Sequence, residues 1–338
     1  MTKRFLAESL PTGPRDPVAM TAPRRPGSVR RTTTIDQQRT TPGAPEQVVA
    51  RGRDLLTRLD GTTEVVDEAG FTATVQGFGA EASILAIAAD PREPALDALV
   101  GSSPSKGLRG SVDQMLPEHR AAGRVLHQLL DDLPMALLIS SYGASREQPD
   151  FTLPEAAADR MTDLCAGWID GGTMLANLAN TGLFPIPRGV PIDPLQDPDG
   201  DGSAWHDLPP LPHRSIRRRR RLDLWRGASP DAPFELDVHF RDAALDEVGQ
   251  EHALHEYTLT ATIEPGTLVV LSCEPVARVL PWPECPGSLA SAARIVGQPV
   301  TVLRNQVAMR FTGTSTCTHL NDVLRSLAGV TALAAALP

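Results

Sequence analysis

The chain has 338 residues, and 41% of them are hydrophobic, which is enough apolar sequence for the cores of two or three domains. Its formal net charge is −9 at pH 7, with 41 acidic against 32 basic residues. This balance argues against a protein whose main function is nucleic-acid binding, because that affinity depends on a surplus of Lys and Arg that neutralises phosphates.

The apolar runs and the cysteines predict a cytoplasmic protein. Only three apolar residues, from Phe5 to Ala7, follow the basic start, and these are too few for the core of a signal peptide. No apolar run approaches the roughly 18 residues that span a bilayer, so we expect no membrane partner. The four cysteines are widely spaced, which favours reduced thiols over a disulfide framework.

Residues 1–27 are rich in Pro, Arg and Thr without a periodic apolar pattern, which predicts a disordered leader. The next stretch, SVRRTTTID at 28–36, has β-branched residues around a Thr run and is typical of a strand. A similar stretch, SIRRRRRLD, occurs at 215–223. Ser, two Arg and the final Asp occupy the same positions in both, which indicates an internal repeat.

The repeat continues downstream in the same order, although a few residues are inserted. Agreement over this length predicts two copies of one structural unit. The further matches are Arg-Asp at 53–54 and 241–242, FTATVQ at 71–76 with LTATIE at 259–264, and LDDL at 130–133 with LNDV at 320–323.

Each copy contains predicted strands followed by predicted helices, which is an α+β arrangement. After the opening strands, the sequence predicts strands at 64–76, 82–90, 234–243, 255–264 and 267–279 and closing helices at 123–133 and 317–330. We therefore expect two tandem pseudo-repeated antiparallel-sheet-plus-helix domains, at 28–150 and 213–338, packed face to face around a cleft. Residues 151–212 between them predict a helix followed by a Pro-rich linker.

Five consecutive arginines, Arg217 to Arg221, lie in the strand that opens the second copy. Alternation along a strand predicts Arg217, Arg219 and Arg221 on one face and the other two on the opposite face. A phosphate-binding patch needs its cations on one surface, so this run does not predict a nucleic-acid partner.

The sharpest candidate site is TSTCTHLND at 314–322, where Cys317 and His319 stand at the predicted start of a helix. The positive end of a helix favours the thiolate, which is the form of Cys that acts as a nucleophile or metal ligand. The alternative is that Cys317 packs as a small apolar residue and His319 caps a surface. The first copy has His127 and Leu129 at the matching positions, which indicates chemistry specific to the second copy.

Another cysteine, Cys285, lies in a Pro-rich loop before a Ser/Ala-rich segment. The order of Cys285, this segment, a Gly turn and Cys317 resembles iron–sulfur scaffold proteins of the NifU/IscU type over residues 235–330. The early Cys-Gly-Asp strand motif of that family is absent here. The resemblance implies a candidate metal site at Cys285, Cys317, His319 and Asp242, with zinc or iron as the metal.

A second resemblance covers nearly the whole chain. It rests on RRTTTID, LLDDLP, CAGW, the Trp-His before the second basic strand, LPWPEC and TCTHLND. With these motifs the chain resembles the bacterial family known as domain of unknown function 2889, in its longer actinobacterial form. The resemblance implies fold boundaries and no activity.

The sequence leaves three functions open. The first is an enzyme acting on a small organic substrate, with Cys317 as nucleophile or metal ligand, His319 as base or ligand, and Arg278 anchoring an anion. The second is a noncatalytic metal or iron–sulfur carrier that uses Cys285, Cys317, His319 and Asp242. The third is a structural or interaction module with inert thiols. Neither the substrate nor the oligomeric state is defined.

Overall fold

A computed structural model of the chain describes residues 2–9, 13–38, 44–77, 81–147, 152–154, 161–181, 183–187, 189–195, 197, 200–229 and 231–338. These residues contain both helices and a large antiparallel sheet, so the α+β class predicted from the sequence is confirmed. None of the helices within them is long and apolar enough to cross a membrane.

One continuous sheet forms the centre of the molecule. Its main strands follow the order β12-β11-β10-β9-β2-β3-β4-β5, and the short β8 pairs with β11, while β1, β6 and β7 form a separate small sheet. The strands are β1 (Thr2–Ser9), β2 (Ser28–Gln38), β3 (Glu46–Thr57), β4 (Thr63–Gln76), β5 (Ser83–Asp90), β6 (Thr152–Pro154), β7 (Leu183–Pro187), β8 (Val190–Ile192), β9 (Ile216–Arg226), β10 (Phe234–Leu245), β11 (Glu251–Ile263) and β12 (Val270–Val279).

Helices cover one face of this sheet. The α-helices are α1 (Leu108–Met115), α2 (Pro117–Ala122), α3 (Val125–Glu147), α4 (Thr173–Thr181), α5 (Leu303–Arg310), α6 (Thr318–Ser326) and α7 (Val330–Ala336). Short 3-10 helices span Pro94–Leu99, Ala166–Trp168, Cys285–Ile295, Val300–Val302 and Leu327–Gly329.

Two hydrophobic cores lie between the helices and the sheet, one in each half. In the first half, Leu126, Leu129 and Leu133 of α3 recur at the helical period and pack on β3 and β4. In the second half, Leu320 and Val323 of α6 belong to a core that includes alternate residues of β10 and β11. Both closing helices therefore lie where the apolar periodicity predicts them.

The two halves meet edge to edge through their opening strands. β2 pairs with β9 from Ser28 opposite Trp225 to Gln37 opposite Ile216. The sequence predicts domains packed face to face around a cleft, and the structure differs from this expectation. The reason is that the opening strand of each half is the hydrogen-bonding partner of the other, which places both halves in one sheet.

Residues 13–27 lie across the face of the sheet opposite the described helices. Val18 N–H donates to Glu256 Oε1 at 2.9 Å, and Trp205 Nε1 donates to Thr21 Oγ1 at 2.9 Å. This segment therefore differs from the disordered leader expected for residues 1–27. The segment has no periodic apolar pattern, which predicts disorder, and the residues that order it are distant in the sequence. Residues 1 and 10–12 lie outside the described residues.

The connection at residues 151–212 is mixed in structure. Residues 155–160 of the predicted helix lie outside the described residues, and the described part of that helix is confined to α4. Gly171, with φ +71°, precedes α4 and takes a conformation that favours glycine over other residues. The predicted linker contributes β7 and β8, and β8 pairs with Glu251–Ala253 of β11.

Candidate functional site

The five consecutive arginines of β9, Arg217 to Arg221, are buried in ion pairs on both faces of the sheet. On the helix face, Arg218 binds Asp322 of α6 at 2.5 Å, and Arg220 binds Asp132 of α3. The pairs on the opposite face are Arg217 with Asp36, Arg219 with Glu251, and Arg221 with Asp237. The predicted alternation is confirmed, and each arginine of the run has a carboxylate partner.

Asp242 of β10 is the centre of the candidate site on the helix face. Its buried carboxylate accepts hydrogen bonds from Arg218 Nε at 2.8 Å and Arg218 Nη2 at 3.1 Å. Burial raises the pKa of Asp242, and Arg218 opposes this rise by favouring the charged form. Because Arg218 also binds Asp322, the Asp242 carboxylate is held from a fixed direction.

Two histidines face one oxygen of this carboxylate. His255 of β11 lies opposite Asp242 in the sheet, and its Nδ1 is 3.9 Å from Asp242 Oδ2. His319, in the first turn of α6, places its Nε2 3.9 Å from the same oxygen. The two imidazole rings stack with centroids 3.6 Å apart and an interplanar angle of 14°. The ligand atoms of the three residues all lie within 4.8 Å of one another.

Both imidazoles are kept neutral by their surroundings. Burial, assisted by Arg218, lowers the pKa of His255 to about 3. Burial also lowers the pKa of His319 well below its ordinary value, with His255 and Arg218 adding to the shift. Nδ1 of His255 and Nε2 of His319 are buried without a hydrogen-bond partner. Unpartnered buried polar atoms are rare and costly, so these two nitrogens point to a missing partner.

Cys317 lies at the other edge of the His319 ring. Its Sγ is 3.9 Å from His319 Nδ1 and accepts a hydrogen bond from the Tyr257 hydroxyl at 3.2 Å. Burial raises the pKa of Cys317, and this outweighs the lowering by backbone N–H groups of His319 and Leu320. The direction of the shift is opposite to the sequence prediction, because the helix start that favours a thiolate lies in the protein core.

Cys285 is buried at the start of its 3-10 helix and is not one of the residues grouped around Asp242. Its Sγ packs against Gly167, where an added Cβ would lie 2.7 Å from the sulfur. Burial raises its pKa, with Cys317 and Cys165 adding to the rise. Among the described residues, the proposed ligands Asp242 and His319 thus come together with Cys317 beside them, whereas Cys285 belongs to no such group.

Arg278 lies on the opposite face of the sheet. Its Nε donates to Thr258 Oγ1 at 3.1 Å, and its Nη1 lies 3.1 Å from Asp16 Oδ2. It lines a cavity of about 430 Å³ together with Asp237 and His239. Because the sheet separates this cavity from α6, the structure does not bring Arg278 together with Cys317 and His319.

His255 is the site residue that sequence reasoning missed. Counting back from the turn pairs Ala243 with Ala253, so a regular hairpin would place Leu254 opposite Asp242. The register instead shifts between Asp242 and Ala243, and the extra residue brings His255 opposite the aspartate. The HEY sequence at 255–257 gives no sign of this bulge, which is why the pairing could not be predicted.

Comparison with known proteins finds a family model that matches part of the chain. Residues 216–333 match the model of the family described as Protein of unknown function (DUF2889). The match contains the complete group around Asp242 and leaves the first half of the chain outside it. No curated protein matches, and no solved structure matches. The family description carries no activity, so the geometry of the site is the basis for a function.

Proposed function

We propose that the second half of the chain binds one divalent transition metal ion through Asp242, His255 and His319. The observation that carries the proposal is the pair of buried, unpartnered imidazole nitrogens, each 3.9 Å from the same carboxylate oxygen. Imidazole and carboxylate are ligands of both zinc and iron(II), so the donor set fits these two metals.

The separations between the donor atoms support this assignment. Zinc bonds to nitrogen and oxygen of about 2.0–2.2 Å place two ligands of a tetrahedral ion about 3.3–3.6 Å apart. The 3.9 Å separations from Asp242 Oδ2 to each histidine exceed this by only a few tenths of an ångström. Because the rings are stacked, at least one of His255 and His319 must turn about its Cβ–Cγ bond to direct its lone pair at the same ion.

The charges and hydrogen bonds around Asp242 are compatible with a bound cation. An ionised carboxylate offers about four lone-pair sites, and Arg218 occupies two of them. Arg218 is itself shared with Asp322, which balances its charge. In this arrangement Arg218 would orient the carboxylate and Cys317 would contact the far edge of His319, as outer partners of metal ligands commonly do.

The same geometry favours a noncatalytic metal site over the other functions. A nucleophilic Cys317 needs a lowered thiol pKa, and burial raises that pKa. An iron–sulfur cluster needs several thiolates, and Cys317 is the one described thiol that lies in contact with His319. We therefore propose that the ion stabilises the packing of α6 on β10 and β11, with zinc or iron(II) as the ion and no nucleic acid as partner.

Elemental analysis of anaerobically purified protein tests the metal site. We expect close to one zinc or iron ion per chain in the unsubstituted protein and almost none in His255→Gln or His319→Gln. Far-UV circular dichroism checks that each variant is folded. His213→Gln is the matched control, because this exposed histidine bonds to the backbone oxygen of Glu247 at 2.8 Å and belongs to no group of possible metal ligands among the described residues. This variant should leave the metal content unchanged.

Metal removal gives a second measurement on the same protein. A chelator should lower Tm by several degrees, and added zinc should restore it, because a ligand that binds only the folded state stabilises it. Unsubstituted protein that contains no metal and shows no change in Tm with zinc or iron(II) would contradict the proposal. Metal content in the His255→Gln and His319→Gln variants equal to that of the unsubstituted protein would contradict it as well.

We further propose that the two halves are copies of one unit. The pairing of β2 with β9 supports this, because Thr33 lies opposite Arg220 and these are matching positions in the two sequence repeats. A two-fold axis at this point exchanges two bidentate ion pairs of the same geometry. The pairs are Arg30 with Asp223, at 2.6 and 2.9 Å, and Arg217 with Asp36, at 2.6 and 2.7 Å.

A further inference from the structure

A small cavity with several charged lining residues lies on the helix face where α2 and α3 meet the segment from α5 to α7. We call it the seam cavity; five arginines line it, namely Arg31, Arg120, Arg124, Arg304 and Arg325. Its volume is about 20 Å³, which is room for one group the size of a water molecule. A single ligand oxygen therefore fits inside it.

Three residues that line the seam cavity carry hydrogen-bond donors without acceptors. Nε of Arg304, Nε of Arg325 and Nε2 of Gln128 are buried and have no partner. Among the described lining residues, each unpartnered buried side-chain atom is an N–H donor. A ligand that satisfies these atoms must supply hydrogen-bond acceptors.

The charges at the cavity favour an anion. Asp131 is the one carboxylate among the described lining residues, and it already accepts from Arg304 at 2.7 Å and Arg325 at 2.6 Å. Burial lowers the pKa of His127, which leaves this lining residue neutral. Behind the lining, Asp54 pairs with Arg31, Asp113 lies near Arg304 and Arg120, and Asp67 lies near Arg124. Five guanidinium groups therefore meet four carboxylates, and one positive charge is in excess.

The exposed fraction of the five arginine side chains increases from the buried end of the cavity, its floor, to its opening, its mouth. The side chains of Arg120 and Arg124 are 39% and 52% exposed, whereas Arg31, Arg304 and Arg325 are buried or nearly so. On the floor, an added Cβ at position 329 would lie 2.5 Å from Arg31 Nη1, so the close approach of this guanidinium requires glycine. The mouth is therefore open to a ligand, and the floor is fixed by packing.

We propose that the seam cavity binds a phosphate group. One phosphate oxygen enters and accepts from the unpartnered Nε atoms of Arg304 and Arg325, and the remaining oxygens meet Arg120 and Arg124 at the mouth. Planar guanidinium groups bind phosphate oxygens through paired hydrogen bonds, and the excess positive charge of the cavity matches the charge of the ligand. This site shares no residue with the proposed metal site.

Calorimetry and thermal unfolding with inorganic phosphate test this proposal, with ionic strength held constant by sodium chloride. We expect saturable binding and a rise in Tm for the unsubstituted protein. The double variant Arg120→Ala, Arg124→Ala should bind phosphate at least tenfold more weakly, and its fold should persist because both side chains are exposed. Gly329→Ala should also weaken binding, because the new methyl group displaces Arg31 from the floor.

The control is Arg58→Ala, which removes an exposed arginine that is paired with Glu64 on another part of the surface. This variant should bind phosphate as the unsubstituted protein does. Absence of saturable binding to the unsubstituted protein, or equal affinity in the double variant, would overturn the proposal. Equal binding of acetate would overturn the assignment to phosphate, and removing bound metal should change neither result.

Discussion

The central strand β9 carries five consecutive buried arginines, and carboxylates on other strands and on helices α3 and α6 neutralise their charges. Arg217 donates to both oxygens of Asp36, at 2.6 and 2.7 Å, and both side chains are buried. Strand alternation is enough to predict which face Arg217 occupies. Its partner could not be predicted, because Asp36 belongs to a strand of the other half and only the β2–β9 register brings the two together.

Replacing Arg217 tests how much this pairing contributes to stability. Arg217→Ala leaves a buried, uncompensated carboxylate, which typically costs about 3–5 kcal/mol. Arg214→Ala is the matched control, because Arg214 pairs with the exposed Glu247 and such surface pairs contribute about 0–1 kcal/mol. Urea unfolding followed by circular dichroism gives both values, and a loss in Arg217→Ala no larger than in Arg214→Ala would show that Asp36 is solvated.

His206 is a second residue whose burial has a measurable consequence. Its Nε2 and Nδ1 lie 2.9 Å from the hydroxyls of Thr34 and Thr32, and burial lowers its pKa to about 3. The unfolded chain takes up this proton near pH 6.5, whereas the folded chain does not take it up until near pH 3. The stabilisation that depends on neutral His206 is therefore complete above pH 6.5 and is lost as the pH falls toward 3.

The expected slope is about 1.4 kcal/mol per pH unit for this single proton. Other buried groups titrate in the same range; burial raises the pKa of Asp132 to about 6, for example, and its contribution has the opposite sign. The difference between the unsubstituted protein and His206→Gln isolates the histidine. Between pH 7 and pH 4, the unsubstituted protein should lose about 3 kcal/mol of unfolding free energy relative to His206→Gln. Parallel pH curves for the two proteins would contradict the assigned pKa.

At the scale of secondary-structure elements, predictability depends on whether the apolar pattern is intact. The leucines of α3 and the alternation in β11 are regular, and both elements lie where the sequence predicts them. The sequence pattern predicts no strand at 46–57, although β3 lies there. Arg53 and Asp54 interrupt its apolar pattern, and Asp54 can be buried only because Arg31 of β2 binds it at 2.6 Å. The apolar pattern of residues 46–57 gives no information about this partner on another strand.

The candidate site could likewise be predicted from the sequence only in part. The start of α6 and the positions of Cys317 and His319 could be predicted from the helix signals, and Asp242 from its strand. The burial that raises the pKa of Cys317 comes from the packing of α6 on the sheet, and His255 enters through a bulge. Tertiary packing and one extra residue in a hairpin therefore decide which side chains form the site.

At the scale of the whole molecule, the repeated sequence predicts two similar units but not how they join. In the structure the two halves join through the β2–β9 strand pair, which we call the seam. Ion pairs cross this seam on both faces of the sheet. Arg220 of the second half binds Asp132 of α3, and Arg217 binds Asp36 of β2. Each half therefore supplies carboxylates that neutralise buried charges of the other, and neither half is complete alone.

This dependence leads to a prediction for residues 213–338 produced as a separate chain. Removing the first half exposes the hydrogen-bonding edge of β9 and leaves Arg217 and Arg220 without their carboxylates. An exposed strand edge is prone to pair with another chain, and an uncompensated buried charge is strongly destabilising. We expect the fragment to self-associate or to unfold at a much lower temperature than the full chain, as light scattering with size exclusion and thermal unfolding would show.

The control is complementation with a separately produced fragment of residues 13–212. Mixing the two should restore a one-to-one complex with a Tm near that of the full chain, because β2 again supplies the partner of β9. A monomeric 213–338 fragment as stable as the full chain would mean that the segment matching the family model is an independent domain. The charges of β9 would then be satisfied within the second half, contrary to the ion pairs that cross the seam.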